Sequence, residues 1–298
     1  MMKTQKIRSK DAAWQKLEVL KTNRNKRYRY FEFLAEGVRN LNEAKKYGWS
    51  FSSLIYPADT PLSDWAKGML RDTPTDVNLE LTPALMRELS EKDDTSELMA
   101  VVKMRPDDLS AIRPKPGAAP LVALFDRPSN KGNLGTMLRT LDALGADGLI
   151  LTGHGVDLYD PETVGASMGS FFRVPAVRVP RHDDLEAYFD SLRRAYGSLS
   201  VLGTTAHAEK PVWDCDLTGA AVFMIGCETD GLSEGLRPFC TGLVTIPMDP
   251  QSSASSFNVS CAATVLFYEA VRQRQRQTRN RTQTLNDLRN PAEANPEA

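Results

Sequence analysis

Cysteine is sparse in this 298-residue chain, and what there is lies scattered. Cys215, Cys227, Cys240 and Cys261 form no C-x-x-C pair. The sequence therefore offers neither a disulfide framework nor a thiolate zinc site, and the four read as buried, reduced thiols. Histidine is scarcer still. His154, His182 and His207 lack the paired spacing of metal ligands, and no metal is expected. No apolar run approaches the ~20 residues of a membrane-spanning helix, and the N-terminus lacks the apolar core of a secretory signal. The expectation is a cytoplasmic protein with no membrane partner. Two phosphate-binding signatures are also missing. There is no G-x-x-x-x-G-K-[ST], and no G-x-G-x-x-G follows the apolar run ending at Asp126. Both a phosphate-loop enzyme and a nicotinamide-dependent dehydrogenase lose support on that ground.

Apolar residues at 41% and charged residues at 25% define a globular chain with a real core, built as one large or two ordinary domains. The net charge of −1 conceals an uneven distribution. Residues 1–30 hold ten Lys or Arg against Asp11 and Glu18, a local excess of +8. With Tyr28, Tyr30 and Phe31 alongside, that end suits a phosphate backbone and exposed bases. A solvated helix or a disordered arm explains the same charges equally well.

Periodicity divides the chain. Residues 1–25 form a basic arm with a first helix over 11–22, where Trp14, Leu17 and Leu20 share one face. Residues 26–105 alternate short strands and helices, beginning with a strand over Tyr28–Ala35, and make a small α/β domain. Residues 106–120 carry four prolines and a glycine and read as a linker. Residues 121–275 open on LVALFD, suited to a buried parallel strand, and continue as alternating strands and helices. The fold class is an open, mostly parallel α/β sheet preceded by the small domain. The polar stretch 276–298 reads as a disordered tail.

Three clusters could carry chemistry. In Ser129–Thr140, glycines permit close backbone approach, Asn133 stands where a helix cap belongs, and Arg139 lies off the apolar stripe. In Met224–Leu236, Gly226 ends a buried strand and Glu228 follows it, in the crevice where parallel sheets bind ligands. In Val244–Ser260, a strand gives way to a Ser-rich loop and then a helix start at Asn258. Each alone is equally an ordinary cap, corner or flexible connection.

Taken in order, the clusters resemble the signatures of the SpoU (TrmH-like) family of SPOUT RNA methyltransferases. N-x-G-x-x-x-R-T stands as Asn133 to Thr140, and G-x-E-x-x-G-L-S as Gly226 to Ser233. I-P-M stands as Ile246 to Met248, and the final S-x-N-V-S as Ser256 to Ser260, with Phe257 where Leu is usual. Residues 26–103 also look like the ribosomal-protein-like substrate domain of that family. The loop between Met248 and Ser256 is longer than expected, and Gly165 stands where relatives often carry a basic residue.

The resemblance implies a C-terminal trefoil knot, a homodimer, and transfer of a methyl group from S-adenosylmethionine to a ribose 2′-hydroxyl of RNA, ribosomal RNA being favoured over tRNA. It assigns Arg139 to activating or orienting the hydroxyl, with Asn133, Glu228, Ser256 and Asn258 around it. It assigns Gly203, Thr204, Thr205, Gly226, Ile246 and Phe257 to the cofactor. Lys26, Arg27, Arg29 and Lys131 are the candidate RNA contacts. A base-methylating SPOUT enzyme and a non-catalytic RNA-binding assembly factor are the alternatives.

Overall fold

The structure, a computed structural model, describes residues 3–289. The first half is built on five strands. β1 (Thr4–Ile7) leads through α1 (Ala12–Thr22) and α2 (Arg24–Tyr30) into β2 (Glu32–Glu36). Then come α3 (Val38–Lys46), β3 (Phe51–Pro57), α4 (Asp64–Asp72), β4 (Asn78–Leu81), α5 (Pro83–Leu89) and β5 (Met99–Lys103). The spatial order is β1-β4-β3-β5-β2. β5 runs antiparallel to both its neighbours, and the other pairs are parallel.

Two expectations for this half are corrected. The basic N-terminus is not an arm, because β1 pairs with β4 and α1 buries Trp14, Leu17 and Leu20 against the sheet. Its cations decorate the outer faces of elements whose inner faces are apolar. The strand expected over Tyr28–Ala35 starts late. Asn23 ends α1 and caps α2 through its side chain, accepting from the Lys26 amide at 3.1 Å. The helix so started runs to Tyr30, and Phe31 turns the chain in the left-handed region (φ 57°) before β2 begins.

The second half alternates strands and helices as far as its fourth strand, after which only short 3-10 turns separate the last three strands. β6 (Leu121–Asp126), α6 (Lys131–Ala143), β7 (Gly148–Thr152), α7 (Pro161–Ala166), α8 (Ser170–Arg173), β8 (Ala176–Arg178) and α9 (His182–Tyr196) come first. β9 (Ser200–Thr204), β10 (Ala221–Ile225), β11 (Gly242–Val244) and α10 (Val259–Arg289) follow. All pairings are parallel, in the order β11-β9-β10-β6-β7-β8. The expected open parallel sheet is what the chain forms. Every residue of β6, β7 and β10 is buried, as a sheet covered on both faces requires. One apolar cluster on α6 and α10 continues without a break into the first domain through Phe33, Trp49, Phe171 and Phe172. The opposite face packs on α9.

From β6 the chain winds outward through β7 and β8, then crosses to β9. The direction of winding therefore reverses between the adjacent strands β6 and β10. Such a reversal opens a crevice at the carboxyl ends of the two strands. The expected disordered tail is corrected over its described part, because α10 continues as helix through residue 276 to Arg289. Residues 290–298 lie outside the described residues.

Candidate active site

The β6 end of the crevice is set by Asp126, which is buried. Its carboxylate accepts from the Thr152 hydroxyl (2.9 Å), the Ser233 amide (3.0 Å) and Arg127 Nε (3.1 Å). One side chain thus ties β6 to β7 and to the segment after β10. Arg127 adopts a left-handed φ of 50°, and its guanidinium donates to the Gly231 carbonyl at 2.9 Å. On the β10 side the chain folds tightly upon itself. A Cβ on Gly226 would lie 2.1–2.5 Å from the Gly231 and Leu232 backbone, so only glycine fits.

Asn130 caps α6, accepting from the Asn133 amide at 2.8 Å. Asn133 is therefore not the helix cap, the alternative reading of that residue. It sits inside the first turn, which frees its side chain. Its Nδ2 donates to Glu228, and the Ser129 hydroxyl donates to the other oxygen of the same carboxylate. Its Oδ1 accepts from Asn258 Nδ2 at 3.1 Å, and its carbonyl accepts from the Ser260 hydroxyl at 2.9 Å. Asn258 in turn caps α10, accepting from the Ser260 amide at 2.9 Å and the Cys261 amide at 3.4 Å. Residues from all three sequence clusters, 95 to 125 positions apart, close one hydrogen-bonded chain Ser129–Glu228–Asn133–Asn258.

Arg139 stands further along α6, exposed, with no hydrogen bond or ion pair to another described residue. The cluster and the free guanidinium share a helix but not a contact. Ser256 is exposed and lies outside the hydrogen-bonded chain. Ser260 takes the place in the cluster that the sequence reading gave to Ser256. Asp126, Arg127, Ser129 and Ser260 were not singled out. Their signals were faint: an acid ending a wholly apolar strand, and small polar residues flanking each motif.

The ends of β9, β10 and β11 form the rest of the rim. Thr204 donates its hydroxyl to the Met224 carbonyl at 3.2 Å, and the Thr205 amide donates to Val244 at 3.1 Å. A Cβ on Gly203 would meet Leu243 and Cys240 within 3 Å, so that glycine serves strand packing. Ile246 is half-buried against the core, while Phe257 is 44% exposed beside the polar cluster. Burial pushes the Cys227 thiol up. Hydrogen bonds from the Asp230 and Thr229 amides and the Thr229 hydroxyl, with the nearby Arg127 charge, outweigh that and hold it below its ordinary range.

Of the candidate RNA contacts, Lys26 and Arg29 lie at or near the surface. Arg27 does not, and its assignment is corrected. Its guanidinium is 2% exposed and bonds Asp157 (2.7 Å) and Asp160 (3.1 Å) of the second domain. It also donates to the Leu20 and Lys21 carbonyls. Four of its five N–H donors are thus taken inside the protein, and its burial keeps it from RNA. Lys131 is half-buried between Asp160 (3.2 Å) and Glu162 (3.4 Å), and those carboxylates hold its proton more firmly than usual despite the opposing effect of burial. Among the described residues no His, Cys, Asp or Glu group could hold a metal ion, and no helix is long and apolar enough to cross a membrane.

A parallel sheet with a polar cluster at its switch point, an unpartnered arginine further along the same helix and a small α/β domain ahead of it are what the resemblance to SPOUT-type methyltransferases leads one to expect. Residues 120–268 match the SpoU rRNA Methylase family and residues 11–100 the SpoU L30e-like domain. A 23S rRNA (uridine(2479)-2′-O)-methyltransferase of Streptomyces viridochromogenes is 43% identical over 270 residues, 90% of this chain and 92% of that protein. A 23S rRNA (guanosine(2553)-2′-O)-methyltransferase of Bacillus subtilis is 26% identical over 271 residues, covering 89% of this chain and 96% of that one. The crystal structure of the SpoU methyltransferase AviRb from S. viridochromogenes in complex with AdoMet superposes with a TM-score of 0.83 at 43% identity, over 89% of this chain and 98% of that one. The chain belongs to the SpoU methyltransferase family.

Proposed function

We propose that this protein transfers the methyl group of S-adenosylmethionine to a ribose 2′-hydroxyl of 23S ribosomal RNA. The observation that carries this reading is the hydrogen-bonded chain Ser129–Glu228–Asn133–Asn258 at the switch point, with Arg139 unpartnered among the described residues on the helix that holds Asn133. The relatives named above act on 23S rRNA ribose, and the more similar one favours a uridine. This supports ribosomal RNA over tRNA, ribose over base methylation, and catalysis over a purely assembly-related role.

The rim fits the cofactor in kind. Three adjacent strand ends offer main-chain groups, and Ile246 and Phe257 offer apolar surface for an adenosine. When bound, the cofactor supplies a methyl group on a sulfonium, which is already electrophilic. The chain's own residues must align the 2′-oxygen and favour its anion. Guanidinium groups keep their proton in proteins. Arg139 therefore acts as a fixed positive charge that lowers the hydroxyl pKa and binds a neighbouring phosphate, not as the base. Asn133 is held at both ends of its amide by Glu228 and Asn258, a frame that needs no reorganisation during transfer.

The segments after β10 and β11 are threaded as a knot in this reading, as membership of the SpoU family implies. The active form is a homodimer through α6 and α10. Val265 (40% exposed) and Tyr268 (58%) form an apolar stripe with the exposed Cys261 on the face of α10, and α6 packs beside it through Thr140 and Thr264 (2.9 Å). An enzyme of ribosomal RNA works in the cytoplasm. Primer extension at low nucleotide concentration on treated, unmodified 23S RNA should give one new AdoMet-dependent stop. No stop anywhere in the RNA would contradict the substrate.

A further inference from the structure

The first domain and α7 of the second enclose a pocket of about 310 Å³, and none of its lining residues belongs to the polar cluster. Its apolar surface comes from Leu34 of β2, Leu89 at the end of α5, Met99 of β5 and Pro161 at the start of α7. Glu36 fixes its shape. That carboxylate accepts from the Ser90 hydroxyl (2.6 Å), the Glu91 amide (3.0 Å) and the Ser96 amide (3.3 Å), which pins residues 90–96 to the end of β2. The site is therefore formed before any ligand arrives, and ordering it costs little. Gly165 leaves it open, because a Cβ there would meet nothing within 4 Å.

The polar groups around this space are mostly acceptors with capacity to spare. Asn40 is 6% exposed. Its Nδ2 donates to the Glu36 carbonyl at 2.9 Å, while its buried Oδ1 has no hydrogen-bond partner. Such an oxygen is rare enough in a folded protein to call for a donor. Glu91 pairs with Lys21 (3.2 Å) and Glu162 with Lys131 (3.4 Å), each through one carboxylate oxygen. The other oxygen of each is without a partner among the described residues. Lys92 is the one cation in the lining. It donates to the Ser96 hydroxyl at 3.2 Å, and an ammonium keeps further N–H donors beyond that bond. Carboxylates of Glu36, Glu91 and Glu162 against this single ammonium repel a phosphate and favour a planar group rich in N–H.

We propose that this pocket takes an unpaired guanine of the RNA substrate. The proposal rests on the RNA-methyltransferase reading and adds a base-specific site to it. Unstacked bases are read through their Watson–Crick edges. Guanine presents there N1–H and the neighbouring amino group, with O6 beside them. The donors match Asn40, Glu91 and Glu162, and O6 matches Lys92. Adenine and cytosine bring only the amino group, and uracil only N3–H. A cation from a protein partner would satisfy the carboxylates but leave Lys92 facing a like charge. The location suits a base near the target ribose. Glu162 pairs with Lys131, two residues before Asn133, and Ala166, in the lining, is what a Cβ on Gly135 would strike. Only α7 separates the pocket from α6, a helix diameter of roughly 10 Å. Arg39, next to Asn40, is exposed and without an ion pair among the described residues. Its side chain runs beside Gly169, just past α7, where it meets a phosphate outside the pocket.

The test is photo-cross-linking of the full chain to 23S ribosomal RNA transcripts carrying 6-thioguanosine, with the attached peptide identified by mass spectrometry. Cross-links are expected within residues 89–99 or 161–166, and none there from transcripts carrying 4-thiouridine instead. Gly165→Leu fills the pocket. It should remove the cross-link and weaken RNA binding in filter assays on the order of tenfold, with melting temperature not lowered and AdoMet affinity unchanged. Gly165→Ala, whose Cβ meets nothing, should bind RNA as the unaltered protein does. RNA bound without a cross-link at this wall, a 4-thiouridine cross-link there, or a 6-thioguanosine cross-link that survives Gly165→Leu would each overturn the proposal. Should Gly165→Leu not fold, the cross-links of the unaltered protein decide alone. If the unaltered protein binds no RNA, the methyltransferase reading fails and the guanine site falls with it.

Discussion

At the scale of single residues, the account separates one group that does chemistry from several that hold it in place. Arg139 has no partner among the described residues, so removing it leaves nothing buried and unpaired. Arg139→Ala should lower kcat on the order of 10²–10³-fold, the size expected for loss of one charged transition-state contact. AdoMet affinity by calorimetry should stay within about twofold. Loss of AdoMet binding instead would make the residue structural. Asn258 has two duties, capping α10 and fixing Asn133. Asn258→Ala should destabilise the fold by about 1 kcal/mol in urea unfolding, and should reduce kcat more than that loss of stability explains. Asn258→Asp keeps the cap acceptor but loses the donor to Asn133. It should recover stability without recovering activity.

At the scale of elements, close approach of backbones decides what is tolerated. A Cβ on Gly135 would lie 2.6 Å from both Ala166 Cβ and the Thr163 carbonyl, and 2.9 Å from the Ser167 amide. α6 and α7 cannot both stay where they are, so Gly135→Ala should cost about 1–3 kcal/mol and lower the melting temperature. A neutral outcome would mean the helices slide freely. This contact also shows what the sequence could and could not tell. The alternation of strands and helices in the second half, and the three clusters on its loops, were legible because buried parallel strands are plainly apolar runs and the motifs are local. Whether Asn133 caps the helix was not legible locally, because Asn130, three residues earlier, competes for the same cap. β1 escaped notice because only Ile7 of its four residues is buried. The helical course of 276–289 was hidden because a polar run has no periodicity. There the anchor is Arg274, bonded to carbonyls more than 50 positions away, which no local pattern reveals.

At the scale of the whole molecule, the two domains are held by buried polar bonds as well as apolar contact. Arg27 joins Asp157 and Asp160, and the Tyr28 hydroxyl donates to Asp157 at 2.5 Å. The Tyr159 hydroxyl donates to the Arg105 carbonyl at 3.2 Å. Arg27→Met leaves the buried Asp157 without its cation, while Asp160 keeps Lys131, and should destabilise the protein by roughly 3–5 kcal/mol, read from denaturant unfolding. Burial raises the Tyr159 pKa to about 12, and Tyr28 is raised as well, by burial and by Asp157. A raised folded-state pKa means stability that is full below the ordinary tyrosine value near 10 and declines as pH rises toward 12. The unfolding free energy should fall over that range, less steeply in Tyr159→Phe. The joined domains thus present one rigid frame to the RNA, and the central claim concerns what that frame does to it. The most direct measurement is nucleoside mass spectrometry of unmodified 23S ribosomal RNA treated with the protein and methyl-labelled AdoMet. The account predicts one labelled nucleoside with the methyl on ribose, absent with Arg139→Ala; a label on the base, or an undiminished yield from that variant, would contradict it.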